Sequence, residues 1–341
     1  MTKVLVTGAA GFIGGYISEE LLRRGYDVTG LDDYSKYGPI VRPYDADPGY
    51  TFVEGDARDV DLLRRLMVGC DHVIAGAAMI GGISYFHTHA YDLLASNERI
   101  IAATCDAAID ARRAGQLQKV TYLSSSMVYE SADRWPSYEG QQLEVPPPLS
   151  SYGFQKLSVE YFARAALQQH GLPFTIVRPF NCVGIGERRA RTDVDIRSGN
   201  IQLAMSHVVP DLVQKLLKGQ DPLHILGDGS QVRHYSYGGD LARGIVDAME
   251  HPDALNDDFN LSSDVSTTVL ELAEKIWRLI KGPDEPFRYV CDEPFEYDVA
   301  KRIPSTEKAK KILGFEATTS LDEMLVEVVA WAREAVQHGW I

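Results

Sequence analysis

The chain has 341 residues, of which 45% are hydrophobic and 24% charged, and its formal net charge is -14. This length predicts two lobes of a globular protein rather than one ordinary core. The acidic balance argues against nucleic acid or an anionic membrane as a partner, because phosphate binding needs a basic surface. The 4 cysteines are scattered, which fits a reducing cytoplasm. We expect no signal peptide and no membrane span.

The first predicted elements are a strand, a glycine-rich turn and a helix. Val4–Thr7 is an apolar strand, the turn carries glycines at 8, 11 and 14, and the helix covers Ile13–Arg24. Such a turn lets backbone amides approach a pyrophosphate, which the helix N-terminus also attracts. The next strand ends in Asp32-Asp33, and a carboxylate there hydrogen-bonds both ribose hydroxyls and repels a 2′-phosphate. The sequence therefore predicts a site for NAD rather than NADP.

Strand and helix patterns keep alternating over the first half of the chain. Repeated units of this kind predict an α/β fold, a Rossmann-type doubly wound parallel sheet with helices on both faces. The further predicted strands are Val28–Leu31, Thr51–Glu54, His72–Ala77, Lys119–Ser124 and Phe174–Arg178, and the helices are Val60–Val68, Tyr91–Ala114 and Tyr152–His170.

The alternation weakens after Arg178, where a long loop rich in Arg, Gly and Asp covers Asn181–Gln202. Loops of this length inside a compact protein are usually binding elements. We predict an NAD-binding domain over 1–180, to which 230–255 returns, and a smaller C-terminal α/β substrate-binding lobe over 181–229 and 256–341. The predicted elements of this half are Pro210–Lys218, Leu223–Leu226, Asp240–Met249, Phe259–Leu261, Val269–Ile280, Phe287–Val290, Thr306–Leu313 and Leu321–Arg333.

A second group of residues carries the chemistry. Tyr152 and Lys156 are four residues apart at the start of a predicted helix, so they share one face. A lysine ammonium lowers the pKa of a nearby tyrosine and makes its phenolate a usable base. Ser124–Ser126 end the preceding strand, at the edge of a parallel sheet where ligands bind. A serine hydroxyl there either bonds a reacting sugar oxygen or caps the strand end.

These motifs together resemble the extended short-chain dehydrogenase/reductase superfamily, and within it the NAD-dependent nucleotide-sugar epimerases and dehydratases. The resemblance covers nearly the whole chain. It rests on Thr7–Gly14, Asp32, Gly55–Asp59, Ala77-Ala78, Asn97, Ser124–Tyr129, Tyr152–Lys156, Arg178–Asn181 with Gly184–Gly186, Arg233, Asp240, and Arg302 before Leu313-Gly314.

The resemblance implies roles for single residues. Tyr152 is the base, Lys156 holds the nicotinamide ribose, and Ser125 contacts the sugar oxygen. The implied cofactor contacts are Gly8, Gly11, Phe12, Ile13, Gly14, Asp32, Asp56, Ala57, Ala77, Ala78, Asn97, Tyr152 and Lys156. The predicted contacts to a nucleotide-diphosphate sugar are Ser126, Met127, Asn181, Arg191, His207, Arg233 and Arg302. A homodimer through Tyr91–Ala114 and Tyr152–His170 and a cytoplasmic location are also expected, with no metal.

Two positions bear on the subclass. The 4,6-dehydratases of this superfamily carry Asp three residues and Glu two residues before the tyrosine at 129, and this chain has Ser126 and Met127 there. Loss of water needs a general acid and a base, which a serine and a thioether do not supply. The nucleotide-sugar decarboxylases also use that Glu. Both activities are disfavoured.

Two further segments leave alternatives open. Ala78–Ile83 and Ser206–Pro210 resemble the GDP-fucose synthases, and the first also resembles GDP-mannose 3,5-epimerase. Those enzymes have a cysteine in place of Met127, and the fucose synthases have a second acid/base that matches His207. His207 either exchanges a proton beside a ketone or caps the helix at Pro210. Likewise, Arg188–Arg191 either clamps phosphates or a charged sugar, or forms a solvated loop.

The simplest mechanism for these residues is C4 epimerisation through a transient 4-keto sugar, with hydride removed and returned by tightly bound NAD. The first alternative is a C3/C5 epimerase or keto-sugar reductase that uses His207. The second alternative is a catalytically silent NAD-binding protein. The sequence does not identify the nucleobase, the sugar or the stereocentre.

Overall fold

The computed structural model describes residues 1–80, 89–188, 196–198, 201–203, 207–294 and 299–341, and within 196–203 only the backbone of two short strands. The strands in chain order are β1 (Lys3–Thr7), β2 (Asp27–Asp32), β3 (Tyr50–Glu54), β4 (His72–Ala75), β5 (Lys119–Leu123), β6 (Phe174–Pro179), β7 (Cys182–Val183), β8 (Ile196–Ser198), β9 (Ile201–Leu203), β10 (Leu223–Leu226), β11 (Val232–His234), β12 (Ser236–Tyr237), β13 (Asp257–Leu261), β14 (Ser266–Thr268) and β15 (Tyr289–Asp292).

The α-helices of the described residues lie where apolar periodicity predicts them, with ends shifted by a few residues. They are α1 (Phe12–Arg23), α2 (Val60–Met67), α3 (Ala90–Arg113), α4 (Ser151–His170), α5 (Val208–Leu217), α6 (Gly238–Glu250), α7 (Val269–Lys281), α8 (Glu307–Leu313) and α9 (Leu321–Gln337). None of these helices is both long and apolar enough to cross a membrane.

Seven strands form one parallel sheet in the order β13-β6-β5-β4-β1-β2-β3. Strand β1 lies between β4 and β2, so the chain order reverses beside the first glycine turn. One face of the sheet packs on α2, α3 and α4, and the other packs on α1, α6 and α8. The fold is the doubly wound α/β sheet that the sequence predicts. Ligands of such sheets bind beyond the carboxyl ends of the strands, at this reversal.

A separate apolar cluster lies in the second half of the chain. Helices α5, α7 and α9 pack around strand β10 and bury core residues that include Val213, Trp277 and Leu325. This cluster is the core of a smaller lobe. One part of the sequence interpretation differs from the structure, because β13 belongs to the main sheet and Ala309 of α8 packs on that sheet, although both fall within 256–341.

Candidate active site

The turn between β1 and α1 has space only for glycine at two positions. Gly8 has φ +77°, and a Cβ there would lie 2.9 Å from the backbone of Ala77. A Cβ on Gly14 would overlap the Gly8 carbonyl oxygen. The turn is therefore pressed against both its own helix and the end of β4.

Helix α1 begins at Phe12, with Gly11 as its N-cap. Among the described residues no side chain caps this end, and the first turn of the helix has no acidic residue. The first amides of α1 are thus not occupied by a side chain, and they carry the positive end of the helix dipole. This is the arrangement that a pyrophosphate requires.

Asp32 ends β2 beside the same turn. Its carboxylate accepts hydrogen bonds from the backbone amides of Ala10 at 3.1 Å and Tyr34 at 2.9 Å. Burial raises the pKa of this carboxyl above its ordinary value. A carboxylate fixed between the two loops has the place and the chemistry to accept hydrogen bonds from a ribose. The glycine turn and Asp32 therefore fit NAD.

The segment after β4 is held by two side chains. Thr7 accepts hydrogen bonds from the amides of Gly76 and Ala77, each at 3.2 Å. Asn97 accepts from the Met79 amide at 2.7 Å and donates to the Met79 carbonyl at 2.9 Å. Asn97 is predicted as a cofactor contact, and in the structure its amide group holds the backbone beside Ala78. We interpret it as a residue that shapes the crevice wall.

At the next strand end, the carboxylate of Asp56 accepts hydrogen bonds from the Arg58 guanidinium at 2.6 and 2.9 Å. That contact holds the pKa of Asp56 below its usual value. Ala57, beside it, is buried. Both residues lie at the carboxyl end of β3, on the side of the sheet where the adenine is predicted.

The three predicted catalytic residues lie together at the ends of β5 and α4. Ser125 follows β5, and its Oγ accepts from the Met127 amide at 3.2 Å, so it caps the short 3₁₀ turn as well. Lys156 donates from Nζ to the Leu123 carbonyl at 2.9 Å. The same Nζ lies 6.0 Å from the ring centroid of Tyr152. All three side chains are buried in the same wall of the crevice.

The electrostatics of this wall differ from the sequence interpretation. Burial raises the pKa of Tyr152, while a hydrogen bond from Ser125 and the positive charges of Arg302 and Lys36 oppose that rise. Burial lowers the pKa of Lys156 to about 8. Lys156 was predicted to lower the tyrosine pKa, but its ammonium is bonded to a carbonyl. The positive charges of Arg302 and Lys36, which lower the pKa of Tyr152, come from other segments of the chain.

Two predicted substrate residues lie beside the tyrosine. Met127 is buried and packs in one apolar cluster with Tyr152 and Leu93. Ser126 precedes it in the same 3₁₀ turn and is buried too. The position predicted for acid/base chemistry in the dehydratases is thus occupied by an apolar side chain that packs with Tyr152, the predicted base.

The predicted arginines come from the second half of the chain. Arg302 donates its backbone amide to the Val232 carbonyl at 3.1 Å, next to Arg233 on β11. Arg233 is buried, and its guanidinium donates to that same carbonyl at 2.9 Å. Asn181, at φ +33°, donates from Nδ2 to the His234 carbonyl at 3.0 Å. The three predicted residues thus lie around strand β11. The positive charge of Arg302 also lowers the pKa of Tyr152.

His207 precedes α5, and its Nδ1 contacts a carboxylate oxygen of Glu187, which is buried. The charges of His207 and Lys36 hold the pKa of Glu187 below its usual range. The helix begins at Val208 and not at Pro210. Arg191 and the segment 81–83 lie outside the described residues.

Sequence reasoning missed Lys36 and Glu187. Both lie in loops, at positions that no local spacing marks as functional. The positive charge of Lys36 lowers the pKa of both Tyr152 and Glu187, two residues of the crevice that are far apart in the chain.

Comparison with known proteins decides the family. Residues 4–262 match the model of the NAD dependent epimerase/dehydratase family. The chain belongs to this family. The predicted family, fold, enzyme class and NAD cofactor are confirmed.

Relatives match the chain along its whole length. An uncharacterized UDP-glucose epimerase of Bacillus subtilis is 28% identical over 345 residues, covering 98% of this chain and 99% of that protein. The structure of a Thermotoga maritima UDP-glucose 4-epimerase with UDP-glucose is 26% identical, with a TM-score of 0.79 and coverage of 98% and 100%. The structure of a Streptomyces venezuelae dTDP-glucose 4,6-dehydratase with NAD is 26% identical, with a TM-score of 0.82 and coverage of 99% and 98%.

Proposed function

We propose that the chain is an NAD-dependent 4-epimerase of a UDP-sugar. The observation that carries this proposal is the contact of Met127 with Tyr152, beside Ser125. A base and a hydroxyl suffice for oxidation and reduction at one carbon, whereas loss of water needs a further acid and base. The similarity to UDP-glucose epimerases supports UDP as the nucleotide.

Bound NAD supplies an acceptor and donor of hydride at C4 of the sugar. Tyr152, as phenolate, removes the proton of the C4 hydroxyl, and Ser125 hydrogen-bonds the same oxygen. Lys156 holds the nicotinamide ribose and adds positive charge. The 4-keto sugar, held by its diphosphate through Arg233 and Arg302, rotates in the crevice and presents its opposite face. Tyr152 then returns its proton to the inverted C4 oxygen.

The proposed reaction is tested with UDP-glucose in deuterated water, using the protein as purified and without added nicotinamide. We expect the C4 epimer to form with no carbon-bound deuterium, because the hydrogen at C4 never exchanges with solvent. Nuclear magnetic resonance of the product reports each carbon. Deuterium at C3 or C5 would contradict simple C4 epimerisation.

The contact between His207 and Glu187 supports a second candidate, epimerisation at C3 or C5. A buried carboxylate that holds one imidazole nitrogen fixes the orientation of the ring. The side chain of His207 is half exposed, so the ring lies at the surface of the protein. In the same deuterium experiment this candidate predicts label beside the keto carbon, and His207→Gln would abolish that label.

We also propose a homodimer formed by α3 and α4. Phe154 and Tyr161 lie seven residues apart on one face of α4 and are 47% and 59% exposed, and Tyr91 near the start of α3 is 78% exposed. Large apolar side chains at such exposure favour a partner surface. Sedimentation should give twice the chain mass of 37.8 kDa, and a single-chain mass would contradict the dimer.

A cytoplasmic location is proposed as well. Cys70 and Cys105 are free, buried thiols, and burial raises the pKa of each to about 11, which keeps them unreactive. Such thiols support a reducing compartment. Cell fractionation tests this proposal, and recovery of the protein outside the cytoplasm would contradict it.

A further inference from the structure

An arginine from the loop after β2 lies against the glycine turn. The Nη2 of Arg42 donates to the carbonyls of Ala10 and Gly11, each at 3.2 Å. Its guanidinium carbon is 3.0 Å from the point where a Cβ of Gly15 would stand, and Nη1 is 3.3 Å from the same point on Gly186. Arg42 is thus enclosed between the first turns of α1 and the loop that leads to the second lobe.

A second arginine lies close by. Arg188 stacks 4.1 Å from the ring centroid of Trp340. Burial lowers the pKa of Arg188, and the neighbouring positive charge of Arg42 lowers it further. Two cations of like sign therefore share one end of the crevice.

These charges are uncompensated within the described residues. There, neither guanidinium has a carboxylate oxygen within 4.0 Å, and the Nε atoms of Arg42 and Arg188 are buried with no hydrogen-bond partner. The nearby carboxylate of Glu187 is engaged by His207. Two like charges beside the positive end of a helix are unfavourable unless an anion lies between them.

We propose that Arg42 and Arg188 form a side-chain clamp on the pyrophosphate of the bound dinucleotide, at the N-terminus of α1. The clamp donates charged hydrogen bonds to the phosphate oxygens, beside those donated by the first amides of α1, and arginine matches phosphate oxygens in geometry. It explains how this chain retains its cofactor through a complete reaction. The inference depends on the use of NAD by the family and not on the identity of the sugar.

The test compares Arg42→Gln and Arg188→Gln with wild type. Arg23→Gln is the matched control, since Arg23 lies at the opposite end of α1 from the proposed clamp, pairs with Glu20 and is 67% exposed. NAD per chain is measured after gel filtration, and the affinity of the stripped protein for NAD and for UDP is measured by titration calorimetry. We expect Arg42→Gln to weaken NAD binding about 10- to 100-fold, as for loss of a charged hydrogen bond.

The control variant should match wild type, and UDP affinity should stay within about twofold in every variant. Without NAD, Arg42→Gln should unfold at the same temperature as wild type or higher, because repulsion is removed. Unchanged NAD affinity in both variants would overturn the clamp. Weaker UDP binding in place of weaker NAD binding would assign the arginines to the substrate diphosphate instead. A lower unfolding temperature without NAD, with NAD affinity intact, would show a structural role only.

Discussion

Replacing Tyr152 by Phe should lower turnover of a UDP-sugar by about 10²- to 10⁴-fold, the usual contribution of a positioned acid/base. The ring still fills the apolar cluster with Met127 and Leu93, so folding and NAD content should not change. Only the hydroxyl that takes the proton is lost. Initial rates and the NAD released from the denatured protein measure the two effects separately.

The control is Tyr289→Phe, which makes the same chemical change on strand β15 of the second lobe, where the side chain is 43% exposed. It should turn over at the wild-type rate. If Tyr152→Phe keeps most of the activity, the base is another residue. If the Tyr152→Phe protein loses its NAD, the main role of the hydroxyl is to bind the cofactor.

Glu160→Ala should destabilise the protein by about 3–5 kcal/mol, the cost of removing one partner of a buried ion pair. Glu160 and Arg178 are 1% and 0% exposed, and their two parallel hydrogen bonds are each 2.7 Å long. Ser124 also donates to Glu160 at 2.7 Å. The substitution leaves the guanidinium with Asp258 as its remaining ion pair among the described residues. Urea unfolding gives the free energy directly.

The matched control is Glu274→Ala, which breaks the exposed pair with Arg278 on α7. Exposed pairs of this kind contribute about 0–1 kcal/mol. If Glu160→Ala and Glu274→Ala lowered the free energy of unfolding equally, burial would not explain the strength of the Glu160 pair. Because Ser124 adjoins Ser125, we also expect slower turnover by the Glu160 variant under conditions where it is fully folded.

The sequence predicted those features that depend on neighbours in the chain. The glycine turn, Asp32 and the pair Tyr152 and Lys156 each follow from spacing within one strand, turn or helix. The main elements of the sheet followed from periodicity. The assignment of 256–341 to the second lobe differs from the structure, because strand β13 pairs with β6 through contacts between distant segments.

The features that the sequence did not predict depend on contacts between loops. The positive charge of Lys36 lowers the pKa of Tyr152 from a different loop. Glu187 contacts His207, which lies twenty residues later in the chain. Arg42 reaches the glycine turn from a loop with no regular pattern. The two hydrogen bonds between Asn97 and the Met79 backbone likewise join segments that no local pattern connects.

The most direct measurement uses UDP-glucose that carries deuterium at C4, in ordinary water and with the protein as purified. Hydride that leaves and returns within one crevice must keep the label, so the epimerised product should carry deuterium at C4. It should form without added nicotinamide. Loss of the deuterium to water, or a requirement for added cofactor in amounts equal to product, would contradict a closed cycle of oxidation and reduction beside Tyr152.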